Sequence, residues 1–138
     1  MNARVEEKYH PNGKLEARLY YNEKNELHRE DGPAEERFYT NKRISSRRWY
    51  FEGMLHREDG PAIEILHFNG TISCRAWYIF GKLHREDGPA QEYFTKNQRP
   101  VGTYYYLNNK HLSISEHRRQ VMLQKLTTNI TTDCEVFL

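Results

Sequence analysis

At 138 residues the chain is sized for one domain or one short repeat array, not for two independent cores. With 37% hydrophobic and 29% charged residues the aliphatic core is thin; ten Tyr, six Phe and two Trp compensate in part, because one ring can bury roughly 150–250 Å². Lys plus Arg (21) against Asp plus Glu (19) leaves +2, a balance that argues against nucleic acid or an acidic membrane surface as partner.

The opening stretch MNARVEEKYH has no apolar run of signal-peptide type, and no segment approaches the ~20 apolar residues of a membrane span. Cys74 and Cys134 stand far apart without a CxxC spacing, so two free thiols in a cytoplasmic protein are expected.

In chain order, residues 5–26 read as two short strands separated by Asn12-Gly13, with the aromatic pair Tyr20-Tyr21 closing the second strand. A longer turn, Glu23-Lys24-Asn25, leads to the octet LHREDGPA at residues 27–34. The same octet returns at 55–62 and at 83–90, a period of 28. Repeats dictate architecture and are sought first. The intervening segments align as units near 5–26, 34–54, 62–82 and 90–110. Asn-Gly at 12–13 and 69–70 supplies the positive φ angles of a tight two-residue hairpin, and Asn41-Lys42 and Asn97-Gln98 predict looser turns in the same place. Each second strand ends in an aromatic pair, Trp49-Tyr50, Trp77-Tyr78 or Tyr105-Tyr106, followed by a turn centred on Gly53, Gly81 or Asn109. Period-2 alternation puts one ring of each pair on each face, and places Glu36, Glu64 and Glu92 between apolar neighbours on one face of the first strands.

After the fourth unit the octet is missing. Ser113 and Glu116 form a capping-box signature, and Ile114, His117, Val121, Met122, Lys125 and Leu126 follow helical spacing. A helix is expected there, its residues Ile114, Val121, Met122 and Leu126 covering the last strand edge as a terminal cap. A partner-binding role for that helix is the alternative. The tail TTNITTDCEVFL reads either as a closing strand or as a disordered docking peptide. The expected fold is mainly β: antiparallel hairpins in an open twisted sheet or solenoid-like array over 1–112, closed by a C-terminal α-helix and tail over 113–138.

The octet has two chemical readings. A His beside carboxylates suits a general base, and His28, His56 and His84 suggest a shared metal ion. Stacked units, however, hold equivalent side chains in rows that do not converge, so no catalytic residue, metal or cofactor is expected. The structural reading accounts for more residues. Asp31-Gly32-Pro33, Asp59-Gly60-Pro61 and Asp87-Gly88-Pro89 make tight corners. Arg29, Arg57 and Arg85 are then expected to form bidentate pairs with Glu36, Glu64 and Glu92, holding corner to strand. The imidazoles are expected to donate to Asp31, Asp59 and Asp87 or to a carbonyl.

The word aromatic-Tyr-x-x-Gly-x-Leu-His-Arg-Glu-Asp-Gly-Pro-Ala, followed by a short strand and an Asn-Gly turn, resembles the variant class of MORN repeats over roughly residues 5–112. The resemblance implies β-hairpin repeats in open twisted sheets, acting as interaction scaffolds and found in phage and large DNA virus proteins. Positions that vary between units are free to recognise a partner. The candidates for binding are Arg37, Tyr39, Trp49, Ile63, Ile65, His67, Trp77 and Tyr93. The resulting expectation is a non-enzymatic protein–protein interaction module, an inhibitor of a host factor in the host cytoplasm if the source is a phage or virus, with self-association through exposed edges also open. The alternative is a nucleic-acid-binding module that stacks bases on Trp49, Trp77, Tyr20 and Tyr105 beside Arg47, Arg48 and Arg75.

Overall fold

The computed structural model describes residues 3–136 of the chain, with side chains through residue 129. Its elements are β1 (Arg4–Tyr9), β2 (Leu15–Tyr21), β3 (Glu35–Phe38), β4 (Ile44–Arg48), β5 (Tyr50–Phe51), β6 (Met54–Leu55), β7 (Ile63–Leu66), β8 (Ile72–Ala76), β9 (Tyr78–Ile79), β10 (Lys82–Leu83), β11 (Gln91–Phe94), β12 (Pro100–Leu107), β13 (Lys110–Leu112) and α1 (Ile114–Val136). Among the described residues nine strands form one open antiparallel sheet in the order β1-β2-β3-β4-β7-β8-β11-β12-β13, and β5-β6 and β9-β10 are separate two-stranded ribbons.

The tips at Asn12-Gly13 and Asn69-Gly70 differ from the expected two-residue turn, and all four units share one tip form. His10 N–H donates to Lys14 O while Gly13 N–H donates to His10 O, which closes a three-residue loop with a single positive φ, +82° at Gly13. Lys42, Gly70 and Gln98 repeat this at φ 70°, 87° and 61°. The arrangement is a type I turn followed by a left-handed residue, and it explains how Lys42 and Gln98 stand where the other two tips carry Gly: only one position carries the strain. Asn12, Asn41 and Asn69 serve through their side chains, each Oδ1 accepting from the backbone N–H two residues on. Beside every tip the second strand carries one extra residue, a β-bulge.

The two-residue turn with positive φ at both positions occurs instead at the far end of units two to four, at Glu52-Gly53, Phe80-Gly81 and Asn108-Asn109. In units two and three the second strand leaves the sheet just before it, whereas in unit four β12 runs on to Leu107 and pairs with β13 in the sheet. Trp49 N–H still donates to Ala62 O in the sheet, but Trp49 O accepts from His56 N–H in the following octet, and Trp77 repeats both bonds with Ala90 and His84. The aromatic residue is thus the pivot between sheet and ribbon. The alanines that receive these bonds, with Ala34, are fully buried.

Helix α1 begins where Ser113 Oγ accepts the Glu116 N–H at 3.2 Å. Glu116 does not reach back to complete the box; its carboxylate accepts from Arg119 and Gln120. Its first two turns are seated. Val121 packs with Leu107 and Leu112, and buried His117 lies 5.0 Å from the Tyr105 ring, whereas Ile114, Met122 and Leu126 are exposed. The expected cover of four apolar side chains therefore reduces to Val121. The tail expected as strand or disordered peptide continues the helix to Val136; the side chain of Cys134 and residue Leu138 lie outside the described residues. Among the described residues no helix is long and apolar enough to cross a membrane. Cys74 is a free thiol pushed up in pKa by burial.

Candidate functional site

The three octets fold into nearly identical corners on the sheet face that carries Glu36, Glu64 and Glu92. Arg57 Nε donates to Asp59 Oδ1 at 3.0 Å, and its Nη1 donates to Pro61 O at 3.1 Å and lies 3.7 Å from Glu64 Oε1. Arg29 makes the same contacts to Asp31, Pro33 O and Glu36 at 2.9, 3.2 and 3.0 Å; for Arg85 the distances to Asp87, Pro89 O and Glu92 are 2.9, 3.1 and 3.4 Å. The structure thus brings each Arg to its strand carboxylate, but with one nitrogen. The bidentate pair expected from sequence is replaced by a guanidinium fork divided between Asp, a carbonyl and Glu. Each guanidinium also lies over the aromatic residue of its own unit: Arg29 on Tyr20, Arg57 on Trp49 and Arg85 on Trp77, at 4.0, 3.9 and 3.8 Å from the ring centres. The Arg side chain holds the Asp carboxyl below the ordinary carboxylate range in all three corners, chiefly through the Nε hydrogen bond.

Gly60 is needed by this packing. A Cβ there would lie 3.0 Å from Arg57 Cζ, and 2.9 and 3.1 Å from the equivalent atoms at Gly88 and Gly32.

The imidazoles do not bond to the aspartates. His28 Nδ1 accepts from Glu52 N–H at 2.9 Å, His56 Nδ1 from Phe80 N–H at 3.0 Å, and His84 Nδ1 from Asn108 N–H at 3.1 Å. The donor in each case is the first residue of the two-residue turn of the next unit. The second turn residue, Gly53, Gly81 or Asn109, donates to Leu27, Leu55 or Leu83 O of the same octet. Each corner therefore binds the following ribbon turn by two backbone N–H groups. These bonds fix the imidazole tautomer, with Nδ1 unprotonated and Nε2 turned toward Glu30, Glu58 or Glu86 at 3.6–3.7 Å.

The ends of the array follow from this rule. In the first unit the longer turn is satisfied internally, Asn22 Oδ1 accepting from Lys24 and Glu26 N–H. At the other end His117 of α1 contacts Arg85 O at 2.6 Å.

The three His rings do not converge. Phe51 lies between His28 and His56, with centroid distances of 4.8 and 6.0 Å, and Phe80 stacks on His56 at 4.1 Å. Among the described residues no three His, Cys, Asp or Glu side chains come together in a geometry that holds a metal ion.

The second strands hold a feature that sequence reasoning missed. Register pairs Glu7 with Arg18, Arg18 with Glu36, Glu36 with Arg47, Arg47 with Glu64, Glu64 with Arg75, and Arg75 with Glu92. Directly opposed residues share a face, so acid and base alternate in one row across the sheet. Contacts include Arg18 to Glu7 at 3.1 Å, Arg47 to Glu64 at 3.4 Å and Arg75 to Glu92 at 2.7 Å. A Glu in every first strand and an Arg in the second strands of three units was the available signal; the register was not.

The candidate binding residues fall into groups. Trp49 and Trp77 lie beneath the corner arginines. Tyr39 hydroxyl donates to Leu66 O at 2.7 Å, and His67 Nε2 contacts Phe94 O at 2.9 Å, so both join one tip to the next. Ile63, Ile65, Arg37 and Tyr93 lie on the opposite sheet face; Ile63 and Ile65 are half-buried, Arg37 pairs with buried Glu35, and Tyr93 is exposed, its ring 6.0 Å from that of Tyr104. Arg48, offered for base stacking, also faces Glu35, at 3.4 Å.

What the octets leave outward is acidic. The side chains of Glu30, Asp31, Glu58, Asp59, Glu86 and Asp87 are 52–88% exposed. Two open grooves run between successive octets, one floored by Trp49, Tyr50 and Phe51, the other by Trp77 and Ile79. No protein-family model matches the chain, and no curated protein or solved structure matches it.

Proposed function

We propose that the chain is a non-enzymatic repeat scaffold of the MORN-variant kind that binds another protein through its octet face, directed at a host factor if its source is a phage or virus. One observation carries the reading: the guanidinium and the imidazole Nδ1 of the octet are engaged inside the fold, while its carboxylates and the grooves between octets face outward. The imidazole Nδ1 that would act as a base accepts a backbone N–H, and the guanidinium is divided among three acceptors. Nucleic-acid binding is the weaker reading, because Arg47 and Arg75 face strand glutamates and the Trp faces are covered by Arg57 and Arg85.

The test is quantitative cross-linking capture with the full chain as bait, from cells in which it naturally occurs. A protein retained by the wild type and released by the combined change Glu30→Gln, Glu58→Gln and Glu86→Gln supports the reading; retention of nothing above a bait-free control overturns it. A fluorescent single-stranded oligonucleotide is expected not to bind at low salt, where phosphate contacts are strongest.

A further inference from the structure

Phe80 sits where a bulky side chain is disfavoured. It is the first residue of a turn in which both φ angles are positive, with φ 43°, and its counterparts are Glu52 and Asn108. The left-handed region is costly for an L-residue, least so for Asn and Asp. Packing within the chain offsets this cost only in part, since Phe80 is 51% exposed. Strain held at an exposed aromatic motivates a functional reading.

The ring stacks on His56 and stands edge-on to Phe51 at 6.3 Å. Met54, 40% exposed, lies alongside at Gly81. Together they make an apolar strip packed on His56 of the middle octet, the octet that both grooves share. Along the grooves stand the carboxylates of all three octets, and the cations lining them are Arg57 with Arg29 or Arg85, each already donating to its own Asp. This surface is acidic on a chain of net charge +2.

We propose that the strip is the docking site for a basic helix of the partner protein, an inference that rests on the scaffold reading above. One apolar side chain of the helix seats against Phe80 and Met54, and Lys or Arg residues on either side reach the carboxylates of successive octets. Neighbouring octets are two strands apart, about 10 Å. Seven residues of helix rise about 10.5 Å, so cations at i and i+7 with an apolar residue between them match the surface.

The probe is a synthetic helical peptide of about 21 residues with Arg at each seven-residue step and Leu between, compared by fluorescence anisotropy with the same peptide carrying Glu for Arg. The full chain is expected to bind the Arg peptide at least about tenfold more tightly than the Glu peptide, and less tightly as salt rises. Phe80→Asn relieves the turn, so the melting temperature should hold or rise while affinity falls about tenfold or more. Glu58→Gln with Glu86→Gln should weaken binding several-fold and flatten the salt dependence. Equal binding of the two peptides, or undiminished binding by the folded Phe80→Asn protein, overturns the proposal. If that occurs while cross-linking still captures a partner, the basic helix falls and the scaffold reading stands; if nothing is captured, both fall.

Discussion

Between Leu55 and Ala62 the chain turns on its side chains, whereas between His67 and Thr71 it turns on its backbone. At the corner, Arg57 alone meets Asp59, Pro61 O, Glu64 and the face of Trp49, and His56 receives the N–H of Phe80. Change one letter and several contacts go together. At the tip, the loop needs one left-handed residue and a bulge, and Gly13, Lys42, Gly70 and Gln98 all supply it. The difference explains why the corners are spelled identically three times while the tips are not: one set of contacts depends on side-chain identity and the other mainly on backbone geometry.

Arg57→Ala breaks this comparison most directly. It removes the fork and the ring stack and leaves Glu64 with Arg47 alone, so a loss of about 2–4 kcal/mol is expected in urea unfolding. The tip counterpart, Tyr39→Phe, removes one hydroxyl bond and should cost about 1 kcal/mol. Similar losses from the two would abolish the distinction.

Gly60→Ala should cost about 1–2 kcal/mol by pushing Arg57 off its stack. Ile63→Thr, on a half-buried strand position next to the same corner, should cost less than either corner change, and thermal melts of the three proteins decide it. His56→Asn and His56→Gln sharpen the comparison further. The Asn carbonyl oxygen takes the place of Nδ1 and can accept the Phe80 N–H, whereas that of Gln extends past it, so the Gln variant should be less stable by about 1 kcal/mol. At the tip the sign reverses: Lys42→Gly relieves φ 70° and should stabilise by roughly 0.5 kcal/mol in the same measurement.

The smallest effect is electrostatic. Asp31, Asp59 and Asp87 have folded-state pKa values depressed by their arginines, so the stabilisation is present above the unfolded value of about 3.9 and is lost as pH falls through the lower folded value. The pairs are exposed and screened by solvent, which keeps the effect small. Asp59→Asn should lower the melting temperature slightly at pH 7 to 8, where the pair is intact, and flatten its pH dependence between about pH 5 and 2.

Sequence by itself determined the 28-residue unit, its hairpin strands and two turns, a mainly β antiparallel array and the position at which a helix replaces the octet. These follow from local causes: alternation, turn residues and a capping serine act within a few positions of one another. Tertiary structure alone decided what the octet holds. The donor to each His lies 24 residues downstream in the next unit, and the alternating Glu–Arg row exists only once the strand register is set. It also decided that the sheet is open. It decided which Asn-bearing turn is tight and which is bulged, since both kinds of loop accept the same residues, and it left Ile114, Met122 and Leu126 exposed. Partners separated by a whole repeat cannot be read from spacing, because the contact depends on how one unit stacks upon the next.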